Sequence, residues 1–133
     1  MDYKFEVVVV PVTDVDQAKA FYTEKLGFRL DADTEPATGF RVVHMTPPGS
    51  NCSVVVGPVT YDAANPPATR SRYQLVVKDL PAARAELAER GVQTSDIQVI
   101  TPGSDGGTFS FFADPDGNEW ALQEVRSYVG AEL

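Results

Sequence analysis

Cysteine, histidine and positive charge are all scarce in this chain. Cys52 is the only cysteine, which excludes an internal disulfide framework and a cysteine zinc cluster. His44 is the only histidine, and no Ser-His-Asp set is recognisable around it. Lys and Arg together number 11 against 19 Asp and Glu, for a net charge of −8. That balance argues against a nucleic-acid partner or an anionic membrane surface and favours solubility. No long hydrophobic run is present: the stretch Val7-Val8-Val9-Val10 is too short for a signal segment or a membrane span. The expected location is the cytoplasm. There is no glycine-rich phosphate loop and no basic stripe.

The chain does contain the makings of a core. At 133 residues and 43% hydrophobic, it is the size of one domain and is globular rather than disordered. Phe112 to Glu124, FADPDGNEWALQE, reads as strand, turn, strand: proline fixes φ, aspartate caps the turn and glycine accepts a positive φ. Phe5 to Val12 is a β-branched run and a strand. Thr13 or Asp14 caps a helix from Val15 to about Lys25, ended by Gly27. Phe28–Asp33, Phe40–Thr46 and Cys52–Val56 are strands, with turns at Thr34–Gly39 and Pro47–Asn51. Pro58 to Ser71 has no periodicity and reads as a linker. Tyr73–Lys78 is the next strand, and Leu80–Arg90 a helix closed by Gly91. Val92–Thr101, Thr108–Ala113 and Asn118–Val125 complete the strands, and Ser127–Leu133 is a loose tail.

The order is therefore βαβββ twice. Val12-Thr13-Asp14-Val15 matches Val77-Lys78-Asp79-Leu80 at an offset of 65 residues, which also lays Ala18 on Ala83, Ala20 on Ala85 and Glu24 on Glu89. Thr46-Pro47-Pro48-Gly49 similarly overlies Asp114-Pro115-Asp116-Gly117. The expectation is one domain of two modules, about 5–57 and 72–126, joined by the linker 58–71. Neither half closes a core alone, so the halves pack edge to edge or swap between subunits, and a homodimer is expected.

VTDVDQAKAFYTEKLGF, VVKDLPAARAELAERGV and FADPDGNEWALQE, in that order, resemble the glyoxalase/bleomycin-resistance/dioxygenase (vicinal oxygen chelate) superfamily over roughly residues 5 to 125. The resemblance implies an α+β fold in which two βαβββ modules form half-barrels around an open cavity. It does not fix the activity, because lyases, dioxygenases, epimerases, thiol transferases and drug-binding proteins share that fold. Many members hold a divalent metal, with a ligand seven residues before each helix-opening Asp and a Glu seven residues after the first Asp of the DPDG turn. Here those positions are Val7, Arg72 and Ala121, and the fourth, placed by aligning Asn51 with Asn118, is Val54. Mg, Mn, Fe and Zn need carboxylate, imidazole or thiolate donors. Valine and alanine offer none and a guanidinium repels the ion, so neither a metal nor another cofactor is expected.

The residues expected to line the cavity are Phe5, Val7 and Val9 on one strand face, and Arg72 and Gln74 on the matching one with Val76. Val54, Ala121 and Gln123 come from the closing strands, joined by Phe109 and Phe111, or by their neighbours Ser110 and Phe112, depending on register. Such an apolar pocket with a few polar groups suits a flat hydrophobic or aromatic molecule. His44 reads as a structural or surface strand residue, Cys52 as a small buried hydrophobe, and Asp31, Asp33 and Glu35 as a solvated charge run. Glu119 reads as a rim carboxylate, and would be a general base only if buried. The leading functional expectation is a metal-free binder that sequesters a hydrophobic or aromatic natural product, as antibiotic-resistance proteins do, with no catalytic residue. The alternative is a lyase, isomerase or dioxygenase-like enzyme using Glu119 or Arg72.

Overall fold

The computed structural model describes residues 1–67 and 72–127. The chain divides into two compact units, residues 1–68 (with 130–133) and 69–129. Each unit is an α+β arrangement of one helix and one four-stranded mixed sheet.

The first unit runs β1 (Val7–Val9), α1 (Val15–Ala20), β2 (Arg29–Ala37), β3 (Phe40–Thr46) and β4 (Ser53–Val56), with sheet order β1-β4-β3-β2. The second runs β5 (Arg72–Val77), α2 (Leu80–Glu89), β6 (Gln98–Val99), β7 (Thr108–Ala113) and β8 (Glu119–Glu124), with order β5-β8-β7-β6. In both, the first strand lies parallel to the fourth. The repeat legible in the residues is thus a repeat of topology.

The two helices start and stop alike. Asp14 Oδ1 accepts from Gln17 N–H at 3.0 Å and Asp79 Oδ1 from Ala82 N–H at 2.9 Å, each satisfying an orphan donor of the first turn. Both stop at a glycine with positive φ, Gly27 at 75° and Gly91 at 83°. The next residue then folds back: Phe28 N–H donates to Tyr22 C=O and Val92 N–H to Leu87 C=O, both at 2.9 Å. The first helix has one difference. Phe21–Lys25 is a π turn, with Leu26 N–H reaching Phe21 C=O.

Each sheet buries one face under its helix. In the first, Val43, Met45, Val54 and Val56 from the sheet join Val10, Ala18 and Tyr22 in the core. Ion pairs fix the side on which α1 lies. Lys19 Nζ meets Asp33 at 2.8 Å, while Arg41 holds Asp33 at 2.8 Å and Asp16 at 2.8 Å. In the second, Phe112, Trp120 and Leu122 pack with Leu80, Leu87 and Val92, and buried Glu124 accepts from Leu80 N–H at 2.8 Å at the start of α2.

Several sequence expectations need correction. Phe5 lies before β1 and is 81% exposed. The turn expected over Thr34–Gly39 shrinks to Thr38-Gly39, because β2 continues to Ala37. The strand expected over Val92–Thr101 is only Gln98–Val99: Val92 closes the α2 cap, and Ser95 is tied to β7 through its Oγ, which accepts from Phe111 N–H, and its C=O, which accepts from the Ser110 hydroxyl. Within the expected linker, Val59 and Tyr61 hydrogen-bond Val12 and extend the first sheet. Residues 68–71 of that linker and 128–133 of the expected tail lie outside the described residues. Cys52 is half-buried in the turn before β4, not in a strand.

Candidate functional site

Register decides which side chains share the face that the helix leaves free, because directly paired residues point the same way and neighbours along a strand point oppositely. In the second sheet Arg72 pairs Glu119, Gln74 pairs Ala121 and Val76 pairs Gln123, while Phe109 pairs Gln123 and Phe111 pairs Ala121. All eight therefore stand on the helix-free face. Phe109 and Phe111 are half-buried there and nearly parallel, 6.2 Å between centroids and 6° between planes. Beside them an amide relay runs across the strands. Gln74 Nε2 donates to Gln123 Oε1 at 2.7 Å, and Gln123 Nε2 donates to Gly106 C=O at 2.7 Å. Gly106 has φ 92° and a Cβ there would sit 3.2 Å from Gln123 Nε2, so glycine is what lets that carbonyl come close.

Arg72 and Glu119 close one end of this face. The guanidinium Nε donates to Glu119 Oε2 at 2.6 Å, and the two side chains are 75% and 54% exposed. They form a solvated rim pair rather than a buried charge, so Glu119 lacks the burial a general base would need.

In the first sheet the helix-free face carries Val7 and Val9, with Ser53 and Val55 beside them on β4 and His44 next to Val55 on β3. Val54 pairs Val8 and Met45, so it points to the helix-covered core and is 3% exposed. The slip has a simple cause. Six residues, Pro47–Cys52, separate β3 from β4, whereas five, Asp114–Asn118, separate β7 from β8. Aligning Asn51 with Asn118 therefore lands one residue short, and Val55 is the counterpart of Ala121.

The charge run also behaves differently from expectation. Asp31 accepts from Arg29 Nε at 2.7 Å, from His44 Nδ1 at 3.1 Å and from the Thr46 hydroxyl, which in turn meets Ser53 Oγ at 2.7 Å. The Thr46 hydrogen bond first, and then that of Arg29, pull its carboxyl down from 3.8 to about 2. Asp33 is held well below the usual carboxylate range, chiefly by Arg41 and then Lys19.

A family model described as the Glyoxalase/Bleomycin resistance protein/Dioxygenase superfamily matches residues 4–122. The chain belongs to that superfamily. Among curated proteins it is 30% identical over 124 residues to a "Glyoxylase-like domain-containing protein" of Didymella fabae, covering 86% of this chain and 88% of that one. Among solved structures it resembles TnmS3, an antibiotic binding protein from Streptomyces sp. CB03234, at 33% identity and a TM-score of 0.73, covering 93% of this chain and 97% of that one. A glyoxalase/bleomycin resistance protein of the same organism matches at 34% identity and a TM-score of 0.70, covering 91% and 100%. A superfamily member from Sphaerobacter thermophilus DSM 20745 matches at 27% and 0.75, covering 92% and 98%.

The superfamily's divalent metal does not fit this chain. With the register corrected, its ligand positions hold Val7, Val55, Arg72 and Ala121, which supply no oxygen, nitrogen or sulfur donor to a cation. Among the described residues no three His, Cys, Asp or Glu side chains are grouped so as to hold one. No helix among them is long and apolar enough to cross a membrane.

Proposed function

We propose that the chain is a metal-free binding protein of the glyoxalase/bleomycin-resistance superfamily that sequesters a small hydrophobic or aromatic natural product. The observation that carries this reading is the parallel Phe109–Phe111 pair on the helix-free face of the second sheet, beside Ala121 and the Gln74–Gln123 relay. Half-buried parallel rings offer stacking area to a flat molecule on their open side, and the amides offer it one or two directed hydrogen bonds. The donor-poor residues at the superfamily's metal positions support binding over metal-assisted turnover, and the likeness to an antibiotic binding protein points the same way. Arg72 and Val76 complete the proposed contact set on that sheet, and Val7 and Val9 are proposed contacts on the first unit's own helix-free face. Phe5 belongs to it only if the segment before β1 folds over a ligand. Val54 leaves it in favour of Val55.

The protein acts as a cytoplasmic homodimer in this reading. An apolar face and free strand edges in each unit favour a twofold pairing, and light scattering should give twice 14.4 kDa. Binding is tested by titrating a ligand drawn from an aromatic natural-product library against Phe111→Ala and Tyr73→Phe. Phe111→Ala should weaken it at least tenfold, about 1.4 kcal/mol or more. Tyr73, which packs on Trp120 at 4.9 Å on the helix-covered face, lies away from the proposed site, so Tyr73→Phe should leave ligand affinity nearly unchanged. Equal affinity in both variants would remove the aromatic pair from the site.

A further inference from the structure

The loop between β6 and β7 supplies the acceptor end of the amide relay, and that loop is fastened to the strand that carries the donor. The peptide joining Gly106 to Gly107 is held from both sides. Its N–H donates to Ser104 C=O at 3.1 Å, and a trans peptide then aims its C=O the opposite way, at Gln123 Nε2, 2.7 Å distant. Glycine at 107 permits this turn, because a Cβ there would lie 2.2 Å from the Thr101 carbonyl oxygen. Asp105 reaches from the same loop to the segment that follows β8. Its Oδ1 accepts from Arg126 N–H at 2.8 Å, and its Oδ2 accepts from Ser127 N–H at 3.0 Å and from the Ser127 hydroxyl at 2.6 Å. These bonds, the Ser127 hydroxyl's first, hold its carboxyl below the ordinary value, so the tie is made by an ionised acceptor at neutral pH. Gln123 lies just before Arg126 in the chain. Asp105 therefore clamps the donor and the acceptor of the relay to each other.

The clamp also gives the relay a direction. A backbone carbonyl only accepts, so Gln123 turns Nε2 to Gly106 and Oε1 to Gln74, and Gln74 turns Nε2 inward. Neither amide titrates, so this polarity does not depend on pH. Gln74 Oε1 is where the relay ends: the residue is exposed, and that oxygen has no hydrogen-bond partner among the described residues. Gln74 and Phe111 flank Ala121 in one row across the sheet. They stand two strand spacings apart, roughly 10 Å, so a two-ring molecule stacked at Phe111 brings its edge to Gln74.

We infer that Asp105 is a positioning residue for the ligand face of the second unit: by clamping Gly106 to the strand of Gln123 it fixes the direction of the relay and presents Gln74 Oε1 to flat ligands that carry an N–H or O–H donor. The inference rests on reading the chain as an aromatic-compound binder and adds what sets its polar selectivity. The Asp105 carboxylate touches Arg126 and Ser127, not the ligand face. Without it Gln123 loses a fixed acceptor, both amides turn over, and the end of the relay shows oxygen and NH2 in turn.

The probes are 2-quinolone and N-methyl-2-quinolone, flat two-ring molecules that differ in one N–H donor. The Gln74 and Gln123 side-chain NH2 signals are assigned by NMR with Gln74→Ala and Gln123→Ala. In the wild type the Gln123 NH2 should exchange slowly with water, and 2-quinolone should bind about two- to tenfold more tightly than its N-methyl derivative, the size of one net hydrogen bond. Asp105→Ala should speed that exchange and bring the affinity ratio toward one. Ser127→Ala removes one of the three bonds to Asp105 and should move both readouts the same way by less, which keeps the test open if Asp105→Ala unfolds. An affinity ratio and an exchange rate that both variants leave at wild-type values overturn the inference, and so does a wild type that binds the two probes equally. In either case a Phe111→Ala variant that still weakens both probes leaves the binding reading standing. A wild type that binds neither probe overturns both.

Discussion

Replacing Asp114 by alanine should damage the second unit more than any exposed substitution. Asp114 is 5% exposed at the head of the β7–β8 turn. Its Oδ1 accepts from Asp116 N–H at 3.0 Å and Asn118 N–H at 2.8 Å, and its Oδ2 accepts from Asn118 Nδ2 at 2.8 Å. Asn118 is itself buried, at 4% exposure, so the alanine variant strands a backbone donor and a side-chain donor where water cannot fully replace the carboxylate. An unsatisfied buried donor costs about 1–3 kcal/mol. Two of them, partly relieved by entering water, give a loss of about 2–4 kcal/mol. Asp114→Asn keeps one acceptor oxygen but turns an NH2 toward Asn118 Nδ2, so it should lose about 1–2 kcal/mol. Urea unfolding followed by Trp120 fluorescence reads both, because Trp120 pairs with Phe112 across the same hairpin. The midpoint should fall in the order wild type, Asn, Ala with an unchanged slope. A loss below about 0.5 kcal/mol for Asp114→Ala, the scale of an ordinary surface change, would refute the claim that this carboxylate holds the turn.

Glu124→Ala should cost about 1–2 kcal/mol by orphaning the Leu80 N–H at the start of α2, measured by the same urea unfolding. Arg72→Ala should change stability by less than about 0.5 kcal/mol, because it and its partner Glu119 are both open to water, and a larger loss would mean the pair is not a rim contact. Acid should weaken the first unit through Asp31 and Asp33. Both have folded values below the ordinary 3.8, so their stabilisation is complete above about pH 4 and is lost as pH falls, for Asp31 toward about pH 2. Asp33→Asn should flatten the decline in urea midpoint across that window. A decline unchanged in that variant would assign it to other carboxylates.

Legibility followed physical locality. Helix caps, glycine stops and the DPDG turn are specified by a few adjacent residues, and Asp14, Asp79, Gly27, Gly91 and Gly117 do what their types suggest. On the free face of the second sheet, alternation along β5 and β8 groups Arg72, Gln74, Ala121 and Gln123, whereas the choice between Phe109 and Phe111 or Ser110 and Phe112 on β7 needed the register of the hairpin. What escaped depended on counting across unequal turns or on distant partners. The extra residue between Thr46 and Ser53 moved Val54 to the wrong face. The π turn at Phe21–Lys25 adds one residue with no marker in its composition. Asp31 and Asp33 looked solvated because Lys19, Arg41, His44 and Thr46, which hold them, lie 8 to 15 residues away along the chain. The acidic strand and the lone histidine, taken together, were the available signal for that cluster.

The central claim is metal-free sequestration, and native mass spectrometry measures it most directly. Protein purified without chelator, then treated with one, is mixed with a library of aromatic natural products and the intact complexes are weighed. The account predicts a stoichiometric complex that forms without added divalent metal and releases the compound at its original mass. A complex that needs metal, or a released compound of altered mass, would contradict it.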